Sequence, residues 1–100
     1  DWNVTPGLHA SCLPFIRDND VSLLLWDMMD FAPDGYDISG VTGPVHSVIY
    51  AYGVGLLDNS LLEPLADACR EEGRYEFMLT VAPLKIVGGT GSPVNTIAVF

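Results

Sequence analysis

Two residues twelve positions apart, His46 and Asp58, combine an imidazole with a carboxylate, a donor pair suited to zinc or manganese. His46 lies in the run Val45 to Tyr52, and Asp58 closes the Leu56-Leu57 run. If the chain doubles back near Gly53 to Gly55, both side chains reach neighbouring strand ends and converge on one divalent ion. The pair is incomplete as a site, because such an ion takes three or four protein donors. A lone histidine in a strand is also more often a hydrogen-bonded polar residue than a ligand. His9, the other histidine, stands at a helix entrance, where a cap or surface role suits it better.

Other polar clusters carry less chemistry. The stretch Gly88-Gly89-Thr90-Gly91-Ser92-Pro93 invites a phosphate-loop reading, since glycine frees backbone N–H groups to cradle anions. It lacks the Lys-Ser/Thr ending of a nucleotide loop, and β-branched residues follow it, so a strand-to-strand turn is expected. Asp18, Asp20, Asp27, Asp30, Asp34 and Asp37 crowd the first third with only Arg17 for balance, without the alternating spacing of a calcium loop. They read as a solvated acidic region. Asp27 stands apart because it directly follows a buried strand, a position where carboxylates of α/β folds often face a site. No G-x-S-x-G elbow is present, and neither cysteine lies in a nucleophile motif, so no catalytic residue is assigned.

These residues need elements to hold them. After the turn signal Thr5-Pro6-Gly7, apolar residues recur at helical spacing, predicting a short helix over Ala10 to Asp18, capped by Ser11 and with Pro14 in its first turn. Val21 to Trp26 is a short continuous apolar run, as in a strand buried on both faces. Asp27 to Pro44 reads as a long loop of the kind that is often functional or mobile. Val45 to Tyr52, rich in β-branched and aromatic residues, is expected to be a strand that continues through Gly53 to Leu57 with a bend at the glycines. Leu61 to Arg70 predicts a helix capped by Asn59-Ser60, stopped by Gly73, and burying Leu62, Leu65, Ala66 and Cys69. Tyr75 to Val81 and Thr96 to Phe100 read as strands, with Pro83 limiting further pairing. One mixed α/β unit without repeats follows, with four or five strands and about two helices.

Composition narrows the function. The 100 residues are 49% apolar, which marks a globular sequence, and the formal net charge of -9 repels a phosphate backbone, so no nucleic acid partner is expected. No apolar run approaches the ~20 residues of a bilayer-spanning helix, so no membrane association is expected. Cys12 and Cys69 are too few and too far apart for a disulfide framework or a zinc cluster and read as reduced thiols. With no basic-then-apolar leader, a cytoplasmic protein is expected, and Asp1 in place of Met implies sequence upstream.

Several stretches together resemble one family. Gly7-Leu8-His9-Ala10-Ser11-Cys12-Leu13-Pro14-Phe15, the strand ending at Asp27, Pro44-Val45-His46, Leu57-Asp58-Asn59, and above all Ala82-Pro83-Leu84-Lys85-Ile86 and Gly89-Thr90-Gly91-Ser92-Pro93-Val94 are similar to the C-terminal half of the cyclase family. That family includes bacterial kynurenine formamidase (arylformamidase) and related metal-dependent amide and lactone hydrolases. The resemblance implies that residues 1–100 are the C-terminal portion of a single hydrolase domain with a swivelling β/β/α fold and a mixed sheet. It further implies a divalent metal, zinc or manganese, whose chief motif, H-x-G-T-H-x-D, belongs to the N-terminal half and does not occur in this sequence.

By the same resemblance, the C-terminal half supplies one histidine and, twelve residues on, one carboxylate, matching His46 and Asp58 as metal ligands. The formamidases place Glu where this chain has Asp58. A side chain one methylene shorter leaves direct ligation, a water-mediated link and a structural role open. The implied activity is hydrolysis of a small amide or ester, with N-formylkynurenine in tryptophan catabolism the best-known substrate, by a homo-oligomeric protein whose general base lies upstream. These residues alone would then be inactive, with unpaired strands that make an isolated piece marginal or sticky. The alternative is a small acidic binding or scaffold domain of the same fold, without catalysis.

Overall fold

The computed structural model describes residues 8–29 and 45–100. The Thr5-Pro6-Gly7 turn, most of the long acidic loop, and Asp30, Asp34 and Asp37 lie outside them. The fold is α/β and divides into two compact units, one up to Leu62 and one from Glu63 to Phe100.

The first unit begins with a 3-10 turn over Ala10–Cys12 that leads into helix α1, Leu13–Asp18. The residue that caps this turn is His9 rather than the expected Ser11: its Nδ1 accepts the Ser11 N–H at 3.2 Å. Pro14 occupies the first turn of α1, where its missing N–H leaves no helical bond unmade. Asn19 ends the helix by donating its side-chain amide to the Phe15 carbonyl at 2.9 Å. Strand β1, Leu23–Leu25, pairs in parallel with β2, Gly55–Leu57, with Leu23 opposite Gly55 and Leu25 opposite Leu57. Backbone bonds extend the ladder at both ends, from Gly55 N–H to the Ser22 carbonyl (3.0 Å) and from Trp26 N–H to the Leu57 carbonyl (3.2 Å).

The strand expected over Val45 to Tyr52 is not formed. Ser47–Tyr52 is helix α2, so β1 and β2 are joined through a helix, as a parallel pair requires. The β-branched and aromatic composition pointed to a strand, but local preference is weak when packing selects the conformation. Val45, Ser47 and Val48 are buried while Ile49, Tyr50, Ala51 and Tyr52 are exposed, a pattern with no period of two. Val48 is fully enclosed in a cluster with Ile16 of α1 and Val54, against which Leu13, Val21 and Leu24 pack. Gly53, read as a bend within a strand, is instead the helix stop: at φ 71° its N–H returns to the Ile49 carbonyl at 3.1 Å.

In the second unit, helix α3 spans Glu63–Glu72, about two residues later than expected at each end. Glu63 in its first turn and Arg70 in its last complement the helix dipole, and Arg70 also pairs with Asp67 one turn back. Leu62, Leu65 and Cys69 are shielded as expected, but Ala66 is exposed and Ala68 takes the inner position. Asn59 and Ser60, expected to cap this helix, instead close the turn after β2: Asn59 N–H bonds the Met28 carbonyl at 3.0 Å and Ser60 Oγ donates to the Leu57 carbonyl at 3.3 Å.

Strands β3, Met78–Pro83, and β4, Val94–Val99, form an antiparallel hairpin. The glycine-rich stretch connects them, as expected of a strand-to-strand turn, and Ser92 Oγ accepts the Leu84 N–H at 3.1 Å to close its neck. Beyond the ladder, the Phe77 and Phe100 rings meet at a tilt of 47° with centroids 5.2 Å apart, and the Arg74 guanidinium lies 5.7 Å from the Phe100 centroid. The face carrying Met78, Ile97 and Val99 is exposed.

Candidate functional site

The carboxyl ends of β1 and β2 carry Trp26 and Asp58, each the residue immediately after its strand. In open α/β structures this is the edge where ligand-binding side chains gather, because the chain leaves the ladder there. The parallel register sets the two residues side by side although they are 32 positions apart. The Trp26 indole Nε1 donates to Asp58 Oδ1 at 2.6 Å.

The other Asp58 oxygen faces His46. That residue immediately precedes α2, in helical conformation (φ -62°, ψ -22°), and its backbone carbonyl accepts the Ile49 N–H at 3.2 Å. Burial of Val45 and Val48 on either side anchors this corner. His46 Nε2 lies 3.0 Å from Asp58 Oδ2, with the two side chains 38% and 20% exposed, so the pair is held by the protein and still open to water. A carboxylate oxygen at that distance calls for a proton on Nε2, which must leave before this nitrogen can ligate a metal.

The residues expected as ligands are thus brought together, but by a helix start and a strand end rather than by two strand ends. Asp27, the carboxylate singled out for its place after β1, is exposed, and His9 serves the 3-10 turn. Cys12 and Cys69 are free thiols. Arg17 beside Asp18 holds that carboxyl below its usual range by a direct hydrogen bond at 2.7 Å, in an exposed pair within α1. Sequence reasoning missed Trp26 as a partner of the pair. Its place beside Asp27 at the end of an apolar run was the available signal, but the contact depends on the β1–β2 register.

Imidazole nitrogen and carboxylate oxygen are the donor types that zinc and manganese accept. Two ligands at about 2.0–2.1 Å on a tetrahedral ion stand about 3.3 Å apart. The observed 3.0 Å separation would need to open by only a few tenths of an ångström. The pair therefore fits as part of a metal site. Among the described residues no group of three or more His, Cys, Asp or Glu side chains is arranged to complete one.

Comparison with known proteins adds an independent finding. Over 96 residues, 95% of this chain, it is 29% identical to a kynurenine formamidase of Bacillus cereus. The chain resembles bacterial kynurenine formamidases. A kynurenine formamidase from a second strain of Bacillus cereus matches at 28%, and one from Bacillus thuringiensis at 27%, each over the same 95% of the chain. At that coverage the similarity to the kynurenine formamidases takes in the whole stretch from Trp26 to Asp58. The chain spans 40% of the length of these curated relatives. No protein-family model matches it, and no solved structure does. Among the described residues no helix is long and apolar enough to cross a membrane.

Proposed function

We propose that this chain is the C-terminal portion of a metal-dependent hydrolase that cleaves a small amide or ester in the manner of an arylformamidase, with N-formylkynurenine as the substrate to test first and tryptophan catabolism as its setting. The observation that carries this reading is the 3.0 Å approach of His46 Nε2 to Asp58 Oδ2 within a span similar to kynurenine formamidases. His46 and Asp58 are the residues that would hold the ion, zinc or manganese. When bound, such an ion supplies Lewis-acid polarisation of a scissile carbonyl and makes a water acidic enough to be deprotonated near neutral pH.

The chain's own contribution is positional and electrostatic. His46 presents a nitrogen donor from the start of α2, on a corner set by the buried Val45 and Val48. Asp58 presents negative charge that offsets part of the charge of a divalent cation. Their solvent exposure leaves room for a small-molecule substrate to approach. The remaining donors and the general base are assigned to the rest of the protein, which is expected to be a cytoplasmic homo-oligomer.

The test is hydrolysis of N-formylkynurenine by the full-length protein before and after chelation. Activity should fall on chelation, return with zinc or manganese, and be lost in His46→Ala. Hydrolysis unaffected by chelation and by His46→Ala would overturn the assignment. A second reading, a non-catalytic acidic binding or scaffold domain, is favoured by the presence of only two converging donors among the described residues. It predicts no hydrolysis and no stoichiometric metal in the full-length protein.

A further inference from the structure

We infer that Trp26 is a positioning residue for Asp58, holding one carboxylate oxygen so that the other alone faces His46 and any ligand. This rests on the reading of His46 and Asp58 as site residues and adds to it the device that orients the carboxylate.

Trp26 holds Asp58 through its side chain and the residues flanking Asp58 through its backbone. Trp26 N–H bonds the Leu57 carbonyl at 3.2 Å, and Ser60 N–H bonds the Trp26 carbonyl at 2.9 Å, so the main chain of Trp26 brackets the turn that carries Asp58. Asn59, in left-handed conformation at φ 51°, completes the turn through its bond to Met28. The indole, on a residue only 7% exposed, then donates to Oδ1 at 2.6 Å. A charge-assisted bond of this length from a packed side chain resists rotation of the carboxylate about its own axis.

The chemistry of the donor matters as much as its position. Indole N–H is a neutral donor with no acceptor capacity, so it orients the carboxylate while leaving its negative charge in place. An arginine or lysine there would orient it equally well but would cancel the charge and repel a cation. With Oδ1 engaged, Asp58 offers Oδ2 as a single-oxygen ligand rather than a bidentate one. A short, fixed side chain can thereby present its oxygen in one direction.

The test is a double-mutant cycle in the full-length protein with Mn2+ alone as the probe, read by isothermal titration. Trp26→Phe keeps an aromatic ring in the packing and removes the N–H donor together with the rest of the indole's second ring, a packing loss that the two backgrounds of the cycle share. It should weaken Mn2+ binding about tenfold, the lower end of what supporting partners of metal ligands contribute. In an Asp58→Ala background the same change should alter affinity by less than about twofold, because the interaction it removes is already gone. Equal losses in both backgrounds would show a merely structural role and overturn the proposal, as would no loss in either.

Failure of the underlying metal reading looks different. Wild-type protein would then bind no Mn2+, or His46→Ala would bind it as tightly as wild type. In that case 15N signals of the His46 ring decide the positioning role alone. Trp26→Phe should shift them in the same direction as Asp58→Ala; signals unchanged by Trp26→Phe would overturn it.

Discussion

His46 and Asp58 meet with Nε2 and Oδ2 3.0 Å apart, although one residue introduces a helix and the other leaves a strand. Between them lie α2, the left-handed Gly53, the buried Val54 and the three residues of β2. The left-handed turn at Gly53 reverses the chain, so that the residue preceding the helix stands near the end of the strand that follows it. The twelve-residue spacing is therefore the length of one short helix plus one short strand, folded back on each other.

His46→Ala in the full-length protein should reduce zinc or manganese affinity by about 10–100-fold, even if His46 proves to support a ligand rather than to be one. Asp58→Asn, which keeps the shape and removes the charge, should fall toward the lower end of that range. Metal content after dialysis against a graded chelator series measures both. Unchanged content in His46→Ala would return this residue to an ordinary structural role.

Val48 is fully enclosed between α1 and Val54. Val48→Ala removes two methyl groups and leaves a cavity, a loss of about 2 kcal/mol in unfolding free energy. Urea denaturation should show a lower midpoint with an unchanged slope. Ile49→Ala, at a position 48% exposed on the same helix, should have a much smaller effect.

Gly53 ends α2 at φ 71°, and a Cβ added there meets no atom within 4 Å. The cost of Gly53→Ala is therefore backbone strain alone, about 1 kcal/mol. Gly53→Asn should cost less, because Asn tolerates the left-handed region. Equal midpoints for glycine, alanine and asparagine in urea would mean that the helix does not stop there in solution.

Cys12 and Cys69 are both free thiols, half-buried and buried respectively. Under native conditions a thiol reagent should modify Cys12 faster than Cys69, and denaturation should remove the difference. Intact mass should not change on reduction, since no internal disulfide is present. A mass increase of two hydrogens would contradict the assignment.

Elements with their own start and stop signals were legible from residue types alone. The helical stretch from Ala10 to Asp18, a strand within Val21 to Trp26, α3 ahead of Gly73, and two strands overlapping Tyr75 to Val81 and Thr96 to Phe100 all carry a period or a punctuating residue that acts locally, although the hairpin ladder starts at Met78 and takes in Pro83, opposite Val94, where pairing was expected to be limited. The pairing of His46 with Asp58 was legible too, as an imidazole and a carboxylate at a suggestive spacing.

Two things were decided only by tertiary structure. Val45 to Tyr52 holds residues that suit a strand as well as a helix, and in the folded chain it is the helix start that seats Val48 among Ile16, Val54, Leu13, Val21 and Leu24. The contact between Trp26 and Asp58 spans 32 positions and exists because β1 and β2 pair in parallel, in one register, with the residue after each strand at the same edge. Residue type sets what an indole and a carboxylate can do. Whether they meet depends on a ladder between distant segments, and no local preference in either segment encodes it.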